Sequence, residues 1–261
     1  MKKLLFQSSV LMLLLALSGC GGTKVLKEPE PLVVTQSLAT ASDQYFSATL
    51  DWVIVRDGPG TWAKNVDWDE YLIGVQNLSN ESLEVTNITV VDSLGTRIEA
   101  RENRKQLVKG TKKTKRRYKG EGLKVKAGLS GGVLMAGAGV GVAIVGATVS
   151  IGPMMGGAAA GGGAAAGATV AAVGLLVPVL AVGGIVRAVN NSKVNNQIES
   201  RQTLLPVVLQ EEEEKNLDIF FPLAPSPRQI EITYASSQGD HTLIIDTRTA
   251  LDGLHLVQAD K

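Results

Sequence analysis

The stretch Gln229-Ile230-Glu231-Ile232-Thr233-Tyr234 places an apolar residue at every second position. Side chains of a strand point alternately to opposite faces, so this spacing predicts a strand with one buried face. The same pattern recurs outward from it. Gln238-Gly239-Asp240 reads as a turn into a strand around Leu243 to Ile245. Upstream, Leu217, Ile219 and Phe221 alternate with Asp218 and Phe220, behind an acidic turn at Glu211 to Glu214. Leu204 to Leu209 forms an apolar run interrupted by Pro206.

A second set of alternating stretches lies far earlier in the chain. Leu50, Trp52 and Ile54 precede the turn Asp57-Gly58-Pro59-Gly60, and Tyr71, Ile73 and Val75 precede Asn77-Leu78-Ser79-Asn80-Glu81. Further strands are expected near Leu83 to Val91 and Thr96 to Ala100. Short strands at regular spacing with turn residues between them argue for an antiparallel sandwich. The expected class is therefore mainly β, an immunoglobulin-like sandwich whose halves are 44–103 and 203–261. Two separate small β units are the alternative, although four strands alone make a poor core.

Between the halves, Ala127 to Val186 runs for sixty residues without an ionisable side chain and holds seventeen of the 29 glycines. One membrane-spanning helix needs about 20 apolar residues, so the block is long enough for two. The interruption Ile151-Gly152-Pro153-Met154-Met155-Gly156-Gly157 divides it into arms of about 127–151 and 163–186, a predicted transmembrane helical hairpin. Membrane helices associate where small residues permit close backbone approach. Gly128 and Gly132, Gly137 and Gly141, and Gly163 and Gly167 are each four residues apart, a glycine zipper that predicts a homo-oligomer. Lining of a pore by the same arms is the alternative.

The block is preceded by a basic collar, 104–126, with eleven Lys and Arg against Glu121 alone. It is expected to be a juxtamembrane loop that touches anionic lipid through Lys112, Lys113, Lys115, Arg116 and Arg117. A solvated loop is the plainer alternative, and export argues against nucleic acid as a partner. After the block, 187–202 reads as a polar helix or a linker.

At the start, Met1-Lys2-Lys3 and the apolar Leu4 to Leu17 have the form of a secretory signal, 1–19. Leu17-Ser18-Gly19-Cys20 resembles the lipobox of bacterial lipoproteins, in which the cysteine becomes the first mature residue and carries lipid. That resemblance implies palmitate or a similar acyl chain at Cys20, the only cysteine of the chain, followed by a tether over 20–43. With Gly21 rather than Asp next, it also implies sorting to a Gram-negative outer membrane. The lipobox together with a Gly-rich block inside a soluble domain resembles, in layout, the surface-exclusion lipoproteins of conjugative plasmids; the β-rich remainder carries no motif of theirs.

No catalytic residues, metal site or cofactor are expected. His241 and His255 are the only histidines, each expected in solvent or at a strand end. Gly137-Ala138-Gly139-Val140-Gly141 lacks the preceding strand and full spacing of a nucleotide-binding loop. The expected function is that of a non-enzymatic outer-membrane lipoprotein. It would oligomerise through its hairpin and present the sandwich to an envelope protein.

Overall fold

The structure is a computed structural model and describes residues 22–29, 31–128 and 183–257. The chain is mainly β, with antiparallel sheets. In order, the strands are β1 (Lys24–Val25), β2 (Ala39–Ser42), β3 (Phe46–Ile54), β4 (Ala63–Lys64), β5 (Trp68–Asn77), β6 (Leu83–Val91) and β7 (Arg97–Glu99). Two helices follow, α1 (Arg104–Gly120) and α2 (Gly183–Arg201), and then β8 (Val207–Leu209), β9 (Glu214–Pro222), β10 (Gln229–Ser236) and β11 (Gly239–Asp246).

One sheet has the order β2-β3-β5-β9, and the other runs β11-β10-β6-β7 with β8 on the β7 edge of β6. Strands from the two sides of the apolar block pair within both sheets. Trp68 to Gln76 of β5 lies against Pro222 to Glu214 of β9, and Val91 to Glu84 of β6 against Gln229 to Ala235 of β10. Two independent β units are incompatible with this register, because each half would lack its central partner.

The alternating residues meet in one core between the sheets. It includes Phe46, Leu50, Tyr71, Ile73, Val75, Val85, Ile88, Leu217, Ile219, Phe221, Ile230, Ile232 and Tyr234. Phe46 stacks on Tyr234 with ring centroids 4.7 Å apart, while Tyr71 meets Phe221 edge-on at 5.1 Å. Such pairs contribute about 1 kcal/mol each beyond their burial. The Tyr234 hydroxyl also reaches the Asp43 carboxylate at 2.7 Å, which closes the turn before β3 onto the opposite sheet.

Several expectations are corrected. The segment 20–43 is not a free tether throughout: β2 pairs with β3, and Leu38 is buried. An edge of β3 would otherwise leave its backbone groups unpaired. The basic collar is not a loop, because Arg104–Gly120 is a helix with a buried side. Residues 187–201 continue α2 from Gly183. Among the described residues, no helix is long and apolar enough to cross a membrane. The predicted arms of the hairpin fall outside the described residues, except for 127, 128 and 183–186.

The four-stranded sheet has a second, smaller core on its outer face. Trp68 and Phe220 project there and pack with Trp62, Ala63, Val66, Leu107, Val194 and Ile198. Both faces of the sheet are therefore covered at this end, which is why Trp68, Asp69, Glu70 and Tyr71 are buried consecutively. The helices that cover it are the two segments flanking the apolar block.

Candidate functional site

The site begins with α1. Asn103 caps the helix by accepting a bond from the Gln106 backbone N–H at 3.0 Å, satisfying a donor that the first turn leaves open. Its buried side is Leu107, Thr111, Thr114 and Tyr118. These positions recur at intervals of four, three and four, so they form one stripe on a helix of 3.6 residues per turn.

Two of the four are threonines, and the polar atom of Thr111 is used twice. Thr111 donates to the Asp67 carbonyl and accepts from the Leu223 N–H at 3.0 Å, tying the helix to the loop before β5 and to the end of β9. Tyr118 is fully buried; its hydroxyl donates to the Pro225 carbonyl at 3.2 Å and lies 2.8 Å from Ser93 Oγ. Burial pushes the Tyr118 phenol above its ordinary range. Gly110 lies against Pro222 so closely that a Cβ would stand 2.4 Å from its Cγ. Absence of a side chain at this position lets the helix approach the sheet.

The cations of α1 divide into two groups. Lys115 reaches Asp67 at 3.1 Å, and Arg117 pairs with the fully buried Asp92. Asp92 also accepts from the backbone N–H groups of Leu94 and Thr96 at 3.0 and 2.9 Å. Lys105, Lys109, Lys112, Lys113, Arg116 and Lys119 are exposed on the other side. At about 100° per residue they fall within an arc of roughly 120°, opposite the buried stripe. Of the five predicted lipid contacts, Lys112, Lys113 and Arg116 thus share the outer surface, whereas Lys115 and Arg117 turn toward carboxylates of the β domain. Beside them runs a groove of about 640 Å³ lined by Arg101, Gln106, Lys109, Gly110, Lys112, Lys113 and Arg116.

The start of α1 is a meeting point. Thr23 Oγ1 accepts from Arg104 Nε and Nη2 at 3.3 and 3.1 Å and donates to the Asn65 carbonyl at 3.4 Å. The Arg104 backbone N–H donates to Asn195 Oδ1 of α2 at 3.3 Å. Arg56 donates to Asn65 Oδ1 at 3.0 Å, and a Cβ on Gly128 would stand 2.7 Å from the Arg56 carbonyl oxygen. The first residues past Cys20, the first border of the apolar block at Gly128 and the helix that follows the block are therefore linked through Thr23, Asn65, Arg56, Gly128, Arg104 and Asn195. β1 supports the arrangement by pairing with β4, and Val25 packs against the outer core.

Gly128 has a φ of 93° and abuts backbone, so it is a docking glycine and not the first member of a helix-packing stripe. Ala127 beside it is buried in the β domain. Gly132, Gly137, Gly141, Gly163, Gly167 and Cys20 lie outside the described residues.

Two buried polar clusters fix the segments that flank the block. On α2, Arg201 pairs with Glu70 at 2.7 Å, and the Trp62 indole donates to the same carboxylate at 2.7 Å. Burial raises the Glu70 carboxyl above its ordinary range, with Arg201 acting in the opposite direction. At the other border, His255 is fully buried, contrary to the solvent or strand-end position expected of it. Its Nε2 lies 2.7 Å from Asp69 and its Nδ1 3.2 Å from the Lys126 carbonyl. Backbone bonds from Lys126 N to the His255 carbonyl and from Val257 N to the Lys124 carbonyl, each 3.0 Å, complete the clasp. With both ring nitrogens occupied and no exposure, the imidazole holds the chain just before Gly128 in place. His241 is half-buried in β11, its ring stacked on Tyr234 at 5.2 Å.

The residues missed in the sequence are thus Arg104, Asn195, Thr23, Glu70 and the His255–Asp69 pair. Their signal was weak, since single polar residues carry no period. The buried stripe of α1 had a readable spacing, but half of it is threonine. Among the described residues, no group of three or more His, Cys, Asp or Glu side chains could hold a metal ion. No protein-family model, curated protein or solved structure matches the chain.

Proposed function

We propose that this chain is an outer-membrane lipoprotein that carries lipid at Cys20 and inserts its apolar block beside that anchor. Its immunoglobulin-like sandwich is held at the membrane for contact with an envelope protein. The supporting observation is the linkage of Thr23, Arg104, Asn195 and Gly128 at one end of the β domain. A lipid chain three residues before Thr23 and the first arm of the hydrophobic block, which starts at Gly128, then leave the domain close together. Both can enter one bilayer without distortion of the sandwich. A single acyl chain binds membranes only marginally, so a second attachment makes the association lasting.

In this reading the chain has no catalytic task, and the small residues of the block join copies of it into a homo-oligomer. Gly137 and Gly141 are four residues apart in sequence, a spacing that in a membrane helix would allow close backbone approach. Replacement of both by leucine should block that approach. Native mass measured in detergent should fall from an oligomer to a monomer in the Gly137→Leu/Gly141→Leu chain. An unchanged mass would remove the small-residue stripe from the account.

A further inference from the structure

We infer that the outer face of α1 is a docking surface for anionic phospholipid head groups, an inference that rests on the membrane attachment proposed above. Lys105, Lys109, Lys112, Lys113, Arg116 and Lys119 are all exposed, and among the described residues none of them forms an ion pair with a carboxylate. Six like charges on one side of a 17-residue helix repel one another. Isolated from an opposite charge, such a row costs stability and returns nothing to the fold.

Neighbouring cations that are needed by the fold are treated differently. Lys115 and Arg117, on the flanks of the same helix, reach Asp67 and Asp92. Asp67 and Asp92 are thus engaged on the flanks, and among the described residues no carboxylate pairs with the outer arc. The opposite face is fixed against the sheet by Leu107, Thr111, Thr114 and Tyr118, so the helix cannot roll to hide its charges. The cationic arc is therefore presented in one orientation.

Its place in the chain selects the partner. α1 begins where Arg104 holds Thr23, three residues from the proposed lipid site, and its far end leads within eight residues to Gly128 at the border of the block. A helix between two membrane attachments lies near the head groups, where each cation is attracted to a negatively charged surface. Charge complementarity at that distance favours phosphate-bearing lipid. The groove beside Lys109, Lys113 and Arg116 offers depth for a head group as well as contact with a flat surface. The contact set accordingly gains Lys105, Lys109 and Lys119 and loses Lys115 and Arg117.

The full chain would be incorporated into nanodiscs of phosphatidylcholine alone or of phosphatidylcholine with phosphatidylglycerol. Amine-acylation rates are then followed at each lysine by mass spectrometry. Lys109, Lys112 and Lys113 should react about fivefold more slowly in the anionic discs. That protection should disappear in high salt, which shortens the reach of surface charge. Lys215, near the opposite end of β9, serves as the reference and should be indifferent to lipid charge. In K109Q/K112Q/K113Q/R116Q, the lipid dependence at Lys105 and Lys119 should be lost while the protein remains in the discs. Equal rates in the two discs, with the protein incorporated, would overturn the docking surface and leave the membrane attachment standing. Failure of the chain to enter either disc would overturn both.

Discussion

The two faces of α1 are built from the same seventeen residues and obey different constraints. The inner face is apolar or hydroxyl-bearing and buried, with Thr111 and Tyr118 hydrogen-bonded to the β domain and Leu107 packed in the outer core. The outer face is cationic, exposed and without a carboxylate among the described residues. Inner positions are dictated by the fold, so their loss should be felt in stability. Outer positions answer to something beyond the fold, and their loss should be felt only where that partner is present.

The largest separation between the faces is expected at Leu107, which is fully buried between Trp68, Phe220 and α2 in the outer core. Leu107→Ala removes buried methyl groups and leaves a cavity, at a cost of about 2–5 kcal/mol. Chemical denaturation should report it as a lower midpoint with an unchanged slope. A cost under about 0.5 kcal/mol would mean that the helix is not held by this face.

Arg117 should rank next. Its loss in Arg117→Met leaves Asp92 buried with only backbone donors, and a cost of about 2 kcal/mol is expected after allowance for the partial exposure of the guanidinium. Since the pair joins the helix to the β6–β7 turn, Asp92→Asn combined with Arg117→Met should cost less than the sum of the single changes. Strict additivity in the double-mutant cycle would show that the two groups do not interact.

A smaller effect is expected from pH at the α2 border. Burial raises the folded-state value of Glu70 above 4.5, with Arg201 opposing. The folded state then binds the proton more tightly than the unfolded state. The stability contributed is present below about pH 4.5 and is lost as pH rises through the folded value. Glu70→Gln removes this term. The stability difference between variant and wild type should therefore move in the variant's favour from pH 4 to pH 7. Parallel profiles would place the titration elsewhere.

Least of all should happen to stability on the outer face. K109Q/K112Q/K113Q/R116Q is expected to be no less stable than wild type in detergent and to gain up to about 1 kcal/mol, since the exposed cations have no partner to lose and their mutual repulsion is relieved. A loss above about 2 kcal/mol would show that these side chains belong to the fold after all.

The β architecture was legible because its signal is periodic. Ile230, Ile232 and Tyr234 announce a strand with one buried face, and the span Leu83–Val91 is seen at the bounds the sequence suggested. β1 and β2 were not legible, since the alternation in Ala39–Ser42 rests on two small alanines and the strand pairs along the open edge of β3. Helix α1 was hidden by its charge. Thr111 and Thr114 look like surface residues until Asp67 and Leu223 are seen to satisfy one of them. Phe220 did carry a usable sign: two consecutive aromatics in a strand, Phe220 and Phe221, require apolar cover on both faces. The meeting of Thr23, Arg104 and Asn195 had no such sign, because hydrogen bonds across 81 and 91 residues leave no local pattern.

The central claim is that lipid at Cys20 and the apolar block are two attachments to one membrane. Palmitate labelling combined with membrane fractionation tests it in wild type, Cys20→Ser and a chain lacking 129–182. Wild type should take label. The Cys20→Ser chain should lose label yet stay with the membrane, and the deletion should keep label through its remaining anchor. An unlabelled wild type would contradict the lipid anchor, and a Cys20→Ser chain found entirely in the soluble fraction would contradict the membrane role of the block.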